Sequence, residues 1–550
     1  MKTKLAVKSD ENYDYPLLIK KIIYNARYNA PNQTIHHHDG GSYTYLEFYD
    51  RVAQVANMLT NSGVGAGDVV AVLDWDTHRY LELFFAVPMI GAVLHTVNVR
   101  LSPQQILYTM NHAEDKLVIV SEDFLPIIQG IQAGFETVEN VISISDSADC
   151  SAIKNHSGDY DTLLKDQSKQ YEFPDFDERS VATLFYTTGT TGDPKGVTFT
   201  HRQLVLHTFS IIATMGGIQI EQRLRSDSVY IPLTPMFHVH AWGLPYITTF
   251  LGTKQIFPGR YDPKSILESI KKHKITFSHC VPAIMNMLLQ HPDSEDYDLN
   301  GWSVVIGGSA LPYGLAHKAM ERGIDIFTGY GLSETCPVLT LTNMTQEQLG
   351  LSVEEQLPIR MRAGKPLGLV EIKILGGNGE DYTNQSDQTG EIVVRTPWLT
   401  QSYYKNEEAS KKLWDGGWLH TGDIGYFDQH GFLNITDRLK DVIKTGGEWI
   451  SSLELESMIS KMSGIVEVAI VGLPDEKWGE RPYALLHTSG AKISPEDISK
   501  HLTQYVEDGT INKWAIPESV EIVDAIPKTS VGKINKKEIR SKILETGTYN

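Results

Sequence analysis

Short runs of β-branched and apolar residues alternate with segments of helical periodicity through the N-terminal part of the chain. The runs lie at residues 69–73, 117–120, 141–144, 255–257, 275–277 and 303–306. Between them, stretches such as 103–112 and 263–273 repeat apolar positions at helical spacing. This alternation predicts parallel strands joined by helices, so the large N-terminal part is expected to be a layered α/β unit.

The sequence changes character twice towards the C-terminus. From about residue 367, strand-like runs at 370–375 and 391–395 flank turn-forming residues, which predicts a β-rich subdomain over about 365–437. After residue 440, helix-like and strand-like segments form a small α+β unit of their own. Because 550 residues exceed what one core accommodates, we predict an N-terminal domain at 1–439 and a C-terminal domain at 440–550.

Composition argues against several classes of function. A formal charge of -19 disfavours nucleic acid as a partner, since phosphate backbones are bound through an excess of Lys and Arg. The widely spaced Cys150, Cys280 and Cys336 suggest neither a disulfide framework nor a thiolate metal site, and they fit the cytoplasm. The most apolar segment, 80–97, contains Glu82, so we expect a buried helix followed by a strand and no integral membrane segment. Peripheral contact with a membrane is left open.

Residues 186–197 combine threonines, glycines and one lysine in the string YTTGTTGDPKGV. The glycines let backbone N–H groups approach anionic oxygens, the threonines supply hydroxyls, and Lys195 adds a positive charge. A nucleoside-triphosphate loop of the Walker type requires the lysine directly after the second glycine, whereas Pro194 intervenes here. The stretch is therefore predicted to bind phosphate without being a P-loop. A flexible surface linker is the alternative that the segment alone leaves open.

Three further segments contain side chains suited to a nucleotide site. Residues 328–335 place Tyr330 for stacking and Glu334 for a hard cation such as Mg²⁺ among glycines, although an ordinary turn is the simpler reading. Asp423 follows a glycine turn and could accept both hydroxyls of a ribose, but an Asp in a turn is usually a cap. Residues 235–243, here called the gate segment, concentrate aromatic and histidine side chains. They lack the carboxylate or thiol that would complete a metal site, so we interpret them as a pocket wall and gate.

Two basic segments lie near the predicted C-terminal domain. Residues 437–452 contain Arg438, Lys440 and Lys444 within an acidic protein, and residues 527–533 end in Lys533. Taken singly, the first is explained by a solvated turn and the second by a solvated terminal lysine. Whether either basic segment belongs to a nucleotide site depends on the segments described above.

Together these segments resemble the adenylate-forming superfamily, which includes acyl-CoA synthetases, luciferase-like enzymes and the adenylation domains of peptide synthetases. The strings YTTGTTGDPKGV, GYGLSET, TGD, DRLKD and PKTSVGK occur in the superfamily's order, and the resemblance covers nearly the whole chain. The strings PMFHVHAWGLPY and DRLKDVIKTGGEWISS most resemble bacterial medium- and long-chain fatty acyl-CoA synthetases. A departure is His240, where asparagine is expected, and it puts the acyl specificity in question.

The resemblance implies a two-step reaction. A carboxylate first attacks the α-phosphate of ATP to give acyl-AMP and pyrophosphate, and coenzyme A then displaces AMP to form a thioester. The implied cofactors are ATP and Mg²⁺, with coenzyme A as co-substrate. The resemblance also implies a homodimer joined through N-terminal segments such as residues 16–23.

The resemblance implies a role for each matching residue. Lys533, Glu334 and His238 would be catalytic, Thr187 and Glu334 would hold Mg²⁺, and Trp242 would gate the acyl tunnel. The C-terminal domain would rotate about a hinge at Lys440 and bring Gly446 and Gly447 to the coenzyme A channel. The ATP- and AMP-binding set comprises Thr187, Thr188, Gly189, Thr190, Thr191, Gly192, Lys195, Val239, Trp242, Gly308, Thr328, Gly329, Tyr330, Gly331, Ser333, Asp423, Arg438, Lys440, Lys444 and Trp449.

Other interpretations stay open at this stage. Short, branched or aryl acids use the same scaffold, and a luciferase-like enzyme shares the adenylation step. An amino-acid-activating module is disfavoured because His238, and not an aspartate, follows Phe237. A non-catalytic nucleotide-binding scaffold would not require Lys533 and Glu334 together.

Overall fold

A computed structural model describes residues 3–145, 148–187, 193–217, 223–386, 388–445, 448–490, 493–529 and 533–549. Within these ranges the chain forms four β-sheets with helices packed against them. This mixed architecture confirms the α/β class predicted from the alternation of strand and helix patterns.

The elements are numbered in chain order. The α-helices are α1 (Lys20–Asn29), α2 (Tyr45–Asn61), α3 (His78–Met89), α4 (Pro103–Ala113), α5 (Leu125–Ile131), α6 (Tyr160–Lys165), α7 (His201–Gly217), α8 (Leu244–Leu251), α9 (Pro263–His273), α10 (Pro282–Leu289), α11 (Tyr313–Glu321), α12 (Gln346–Leu349), α13 (Val353–Arg360), α14 (Glu407–Leu413), α15 (Ser452–Ile459), α16 (Pro495–Glu507) and α17 (Lys536–Thr546). The strands are β1 (Thr34–His36), β2 (Ser42–Thr44), β3 (Val69–Leu73), β4 (Val93–Thr96), β5 (Asp115–Ser121), β6 (Asn140–Ile144), β7 (His156–Asp159), β8 (Val181–Thr187), β9 (Lys195–Thr200), β10 (Val229–Leu233), β11 (Lys254–Ile256), β12 (Phe277–Cys280), β13 (Ser303–Ile306), β14 (Asp325–Gly331), β15 (Val338–Leu341), β16 (Lys365–Pro366), β17 (Glu371–Leu375), β18 (Gly390–Arg395), β19 (Trp414–Asp415), β20 (Trp418–Phe427), β21 (Leu433–Arg438), β22 (Ile443–Thr445), β23 (Glu448–Ile450), β24 (Ile465–Asp475), β25 (Gly479–Thr488) and β26 (Ser519–Ile522).

Two large sheets form the layered N-terminal part. The first has the strand order β7-β6-β5-β3-β4-β8-β9, and the second has the order β16-β15-β14-β13-β12-β10-β11-β1-β2. Most neighbouring strands are parallel, as the long helical connections require. Helix α3 is buried along its whole length, and Phe84 and Phe85 pack against Tyr246 of α8. The two sheets therefore share one apolar core.

The carboxyl ends of parallel strands position the segments of interest. Strand β10 ends just before the gate segment, and β13 ends just before Gly307 and Gly308. The hairpin of β8 and β9 has Thr187 opposite Lys195 at the end where the two strands are connected. Ligands of open α/β sheets bind at such carboxyl edges, so the topology gathers these segments on one side of the molecule.

Two smaller sheets follow. The third has the order β17-β18-β20-β19 with β21 paired to β20, and the fourth has the order β23-β22-β25-β24 with β26 paired to β25. The proposed domain boundary at Lys440 falls between β21 and β22. The carboxylate of Asp437 accepts hydrogen bonds from the backbone N–H and the hydroxyl of Ser452, at 2.6 and 2.7 Å, which ties the end of β21 to the start of α15.

The structure differs from two turns predicted by the glycine pattern. Residues 328–331 continue strand β14, and Asp423 lies within β20. At Gly331, a Cβ atom would lie 1.7 Å from the carbonyl oxygen of Pro337, so glycine is required there by close packing between strands and not by a turn. Gly422 does have a positive φ of 68°, but it lies at an irregularity in the pairing of β18 with β20.

Three structural findings concern the membrane segment, the disulfides and the metal site that the sequence argued against. None of the helices in the described ranges is long and apolar enough to cross a membrane. Cys150, Cys280 and Cys336 are free thiols. The described residues contain no group of three or more His, Cys, Asp or Glu side chains placed to hold a metal ion.

Candidate active site

A narrow cavity of about 40 Å³ lies at the carboxyl edge of the second sheet, where Lys533 meets the N-terminal part. Apart from Thr328, the predicted site residues between 238 and 333 all line it. The structure adds Val305, Gly307, Leu332, Pro337 and Val338 to the wall. Pockets for small ligands usually measure hundreds of cubic ångströms, so a bulky ligand requires side chains of this wall to move.

Gly308 separates Lys533 from the gate segment. It has a positive φ of 81°, and a Cβ atom at this position would lie 3.1 Å from Val281 Cγ1, 3.7 Å from Lys533 Cε and 3.8 Å from Trp242 Cζ2. Any larger residue would fill the space between the lysine and the indole, so glycine keeps that space open.

Thr328 has a supporting role. Its hydroxyl lies within hydrogen-bonding distance of the carbonyl oxygens of Arg360, at 3.0 Å, and Arg362. The side chain therefore braces the backbone behind β14 and is absent from the described lining of the cavity.

Asp423 lies in a polar corner next to the cavity. Its carboxylate accepts a hydrogen bond from the hydroxyl of Tyr330 at 2.8 Å and pairs with Arg438 Nε at 3.3 Å. Burial raises the pKa of Asp423, and the positive charge of Arg438 opposes that rise. A buried carboxylate held by two donors is positioned to accept further hydrogen bonds from ligand hydroxyls.

Lys533 is withdrawn into the cleft instead of being solvated. Its backbone is tied to Thr529, because the N–H of Thr529 donates to the carbonyl of Lys533 at 2.7 Å and the N–H of Lys533 donates to the Thr529 hydroxyl at 3.2 Å. Burial, followed by the charge of Arg438, lowers the pKa of Lys533 to about 8, although Asp423 and Glu334 act in the opposite direction. The interpretation of Lys533 as a solvated terminal lysine is therefore wrong.

Tyr403 connects Glu334 to the hairpin of β8 and β9. Its hydroxyl donates to Glu334 Oε1 at 2.7 Å, and Lys195 Nζ lies 4.8 Å from the centre of its ring. Lys195 is the first residue of β9, and its ammonium group lies over the Tyr403 ring. A larger cleft of about 400 Å³ adjoins Lys195 and Tyr403. Between Thr187 and Lys195, the predicted residues Thr188, Gly189, Thr190, Thr191 and Gly192 lie outside the described residues.

The gate segment has an unusual backbone. Four successive residues other than glycine have positive φ angles, 46° at Val239, 55° at His240, 45° at Ala241 and 58° at Trp242. Each such residue costs on the order of 1 kcal/mol or more, and strain of this kind accumulates at functional sites. The surrounding core holds the strained conformation, since all four side chains are buried.

The two histidines of the gate segment are both uncharged. Burial lowers the pKa of His238 to about 3, with Lys533 and Arg100 adding to the effect, and burial alone lowers the pKa of His240 to about 3. His238 lines the cavity, but His240 lies behind it. The rings surrounding His240 belong to Phe84, Phe185 and Phe199. Histidine in place of the expected asparagine at position 240 therefore changes the packing beneath the cavity and not the residues that line it.

The basic residues of the connection between the last two sheets are spread out. Arg438 faces Asp423, whereas Lys444 is exposed on β22, where its backbone N–H donates to Glu480 Oε2 at 2.9 Å. At Lys440, partial burial and the neighbouring Arg438 lower the pKa, although its side chain still meets solvent. Gly446 and Gly447 lie outside the described residues, as does the side chain of Trp449.

Sequence reasoning missed several residues that support the site. Asp76, after β3, accepts hydrogen bonds from the backbone N–H of Met236 at 2.8 Å and the hydroxyl of Tyr261 at 2.5 Å, and burial raises its pKa to about 7. It thereby anchors the start of the gate segment to the first sheet. The sequence did contain a signal for Asp76, because this carboxylate follows the carboxyl end of a predicted strand. For Tyr403, no local pattern marks its contact with Glu334.

Comparisons with known proteins agree with this geometry. Residues 24–404 match the AMP-binding enzyme family, and residues 454–533 match the AMP-binding enzyme C-terminal domain. A long-chain-fatty-acid–CoA ligase of Thermus thermophilus is 38% identical over 502 residues, which cover 91% of this chain and 90% of that protein. A 3-methylmercaptopropionyl-CoA ligase of Ruegeria pomeroyi is 34% identical over 541 residues, with coverage of 97% and 98%.

Solved structures share the fold. The crystal structure of the anthranilate CoA ligase AuaEII in complex with anthranoyl-AMP superposes with a TM-score of 0.85 at 24% identity, covering 97% of this chain and 99% of that one. The Mycobacterium tuberculosis fatty acyl CoA synthetase superposes with a TM-score of 0.69 at 27% identity, covering 96% and 99%. Since the family match spans well over half of the sequence, this chain belongs to the AMP-binding enzyme family.

Proposed function

We propose that the protein is an AMP-forming acyl-CoA ligase that activates a medium- or long-chain fatty acid. The observation that supports this most directly is the position of Lys533, which reaches from the C-terminal part into the cavity beside Gly308 and Trp242. The name of the Thermus thermophilus relative supports a long-chain acid, whereas that of the Ruegeria pomeroyi relative describes a short thioether acid. A ligase for a short, branched or aryl acid is therefore the second candidate.

In the first step, a carboxylate oxygen of the acid attacks the α-phosphorus of ATP and the bond to pyrophosphate breaks. Negative charge then accumulates on the oxygens around the α-phosphorus. We assign Lys533 to stabilise this charge, because it lies in a partly dehydrated cleft where electrostatic interactions are strong. Asp423, fixed by Tyr330 and Arg438, would accept the ribose hydroxyls.

The residues near Glu334 suit a magnesium ion bound with the nucleotide. Glu334 Oε1 is engaged by Tyr403, and Oε2 has no hydrogen-bond partner among the described residues, which leaves a carboxylate oxygen for a hard cation. Thr187, at the end of β8, would add a hydroxyl. Bound there, Mg²⁺ would neutralise phosphate charge, and the protein's part is to orient Glu334 through Tyr403.

In the second step, the thiol of coenzyme A loses its proton to solvent and attacks the carbonyl carbon of acyl-AMP, and the bond to AMP breaks. We infer that the C-terminal part turns about Lys440 between the steps, because Lys533 occupies the cavity in the conformation described here. The hydrogen bonds between Asp437 and Ser452 lie at this connection and would have to rearrange or move as one unit.

Local charge explains how an acidic protein can capture two polyanions. The chain has a net charge of -19, so long-range attraction for ATP or coenzyme A is lacking. The positive charges of Arg438, Lys440 and Lys533 nevertheless all act to lower the pKa of Asp423, which shows that they face one cleft. Binding thus depends on short-range contacts that salt screens only weakly.

The proposed homodimer needs a surface other than residues 16–23. Leu18, Ile19, Ile22 and Ile23 are buried within their own chain. Exposed apolar side chains occur upstream instead, at Leu5, Val7, Tyr13 and Tyr15. A dimer and a cytoplasmic location both stay proposals.

The function is tested with a panel of linear acids of increasing chain length, plus aryl and short branched acids, incubated with ATP, Mg²⁺ and coenzyme A. Acid-dependent formation of AMP and of an acyl-CoA of the expected mass supports the proposal, and the acid with the highest kcat/KM identifies the chain length. Absence of a thioester with every acid, while ATP still binds, would contradict it.

The lowered pKa of Lys533 predicts a pH dependence of the first step. Lys533 must be protonated to stabilise the transition state, and its protonated form predominates below a pKa of about 8. The kcat/KM for acid-dependent pyrophosphate release is therefore expected to decline as the pH rises through about 8, since this parameter reports the free enzyme. The Lys533→Arg variant stays charged, so its profile should lack that decline even if its rate is lower. A wild-type profile that is flat to about pH 10 would contradict the assignment.

A further inference from the structure

A buried histidine lies against the indole of Trp242. His279, on β12, is fully buried, and its ring centroid is 5.1 Å from that of Trp242. Its Nε2 is hydrogen-bonded to the hydroxyl of Tyr230 at 2.8 Å. Its Nδ1 has no hydrogen-bond partner among the described residues.

An unpartnered polar atom in this place requires a reason. Burying a donor or acceptor without a partner costs about 1–3 kcal/mol, and a leucine would fill the position without that cost. Burial also lowers the pKa of His279, so the ring is neutral and has one donor and one acceptor nitrogen. Because the Tyr230 hydroxyl can either donate to Nε2 or accept from it, Nδ1 is free to take the opposite role.

Two other buried histidines with unpartnered nitrogens have different surroundings. His240 lies among three phenylalanine rings beneath the gate segment. His201, at the start of α7, accepts a hydrogen bond from the N–H of Ile19 at 3.2 Å and packs edge-on against Phe176. His279 differs from both because it contacts the side chain proposed to gate the acyl path.

The relative positions of Lys533, Gly308, Trp242 and His279 define a direction. Lys533 Cε and Trp242 Cζ2 both lie within 4 Å of the position that a Cβ atom of Gly308 would occupy, and the ring of His279 packs against the same indole. An acid whose carboxylate is next to Lys533 would extend past the indole once Trp242 rotates. The first polar atom it would meet there among these residues is a ring nitrogen of His279.

We propose that His279 forms a polar subsite behind Trp242 and that the acid is an oxygenated fatty acid, with a hydroxyl or keto group along its chain. This inference rests on the proposed function, because it specifies the acid that the same site activates. Either oxygen group can bond to the neutral imidazole, since one tautomer of His279 presents a donor at Nδ1 and the other an acceptor.

The test compares acids in matched pairs, each a plain linear acid and the ω-hydroxy acid of the same chain length, from four to twelve carbons, with a set of keto acids alongside. For each pair, kcat/KM is measured from acid-dependent pyrophosphate release. We expect the wild-type protein to prefer the oxygenated member roughly tenfold in at least one pair, in line with about 1.4 kcal/mol for one added hydrogen bond. Equal or lower kcat/KM for the oxygenated member in every pair would overturn the inference.

Variants of His279 separate recognition from packing. His279→Leu should remove the preference and leave the KM for ATP unchanged, while His279→Gln, which keeps a hydrogen-bonding group, should retain part of it. His201→Gln alters an equally buried histidine away from the indole and should preserve the wild-type ratio. If all three variants show the wild-type ratio, the inference is wrong even though the protein is a ligase. If no acid of the panel yields a thioester, the proposed function fails instead.

Discussion

Replacement of Lys533 by alanine is expected to reduce acyl-AMP formation by on the order of 10²-fold or more, which is the usual effect of removing one transition-state donor from a dehydrated site. The same variant should still convert supplied acyl-AMP and coenzyme A into thioester, because Lys533 is proposed to leave the cavity before that step. Pyrophosphate release measures the first half-reaction, and acyl-CoA formed from chemically prepared acyl-AMP measures the second.

A second lysine, five residues before Lys533 in the sequence, provides the control. Lys528 pairs with Glu467 at 3.1 Å and does not line the cavity. Lys528→Ala should therefore preserve both half-reactions. Equal loss of both half-reactions in Lys533→Ala, or normal pyrophosphate release, would contradict the role proposed for Lys533.

Replacement of Asp423 by alanine is expected to lower kcat/KM for ATP by roughly 10²–10⁴-fold, because two hydrogen bonds to a charged acceptor contribute about 1.5–3 kcal/mol each. The variant should also lose discrimination between ATP and its 2′-deoxy and 3′-deoxy analogues. That loss identifies the ribose as the group that Asp423 contacts, which a general loss of activity cannot do. Rates with each nucleotide at a saturating acid concentration supply the measurement.

Two conservative variants complete this test. Asp423→Asn keeps the shape and one acceptor oxygen, so it should retain part of the discrimination. Tyr330→Phe removes the donor at 2.8 Å but leaves the aromatic face, and its effect should be smaller than that of Asp423→Ala. If Asp423→Ala still favours ATP over both deoxynucleotides by the wild-type ratio, the carboxylate does not bind the ribose.

Local patterns were enough to predict the strands and helices of the layered part. The β-branched runs at 69–73 and 303–306 coincide with β3 and β13, and the helical periodicity at 263–273 coincides with α9. The turn expected over 328–335 forms only at Ser333–Thr335, since the glycine-containing residues 328–331 continue strand β14. A glycine cluster favours a turn only when nothing else restrains it. Here β13 and β15 pair with that segment from both sides, and such pairing depends on residues distant in the sequence.

The candidate site shows the same difference between what local motifs predict and what contacts between distant residues decide. Asp423 and Tyr330 were each predicted from their own motifs, but their hydrogen bond joins positions 93 residues apart and no local pattern indicates it. Tyr403 was missed since its partner Glu334 is 69 residues away. His279 was missed because an alternating Phe-Ser-His-Cys strand predicts a buried side chain, not an unpartnered nitrogen against an indole. Chemistry specified by short motifs was therefore predictable, whereas the supporting contacts were not.

The central claim is that the acid attacks the α-phosphorus of ATP, and isotope transfer tests it most directly. The acid with the highest kcat/KM is labelled with ¹⁸O in both carboxyl oxygens and turned over with ATP, Mg²⁺ and coenzyme A. Each AMP formed should contain one ¹⁸O atom, since the bridging oxygen of acyl-AMP remains with phosphorus when the thiol attacks the carbonyl carbon, and the pyrophosphate should be unlabelled. Label in inorganic phosphate with ADP as the nucleotide product, or AMP without label, would contradict the account.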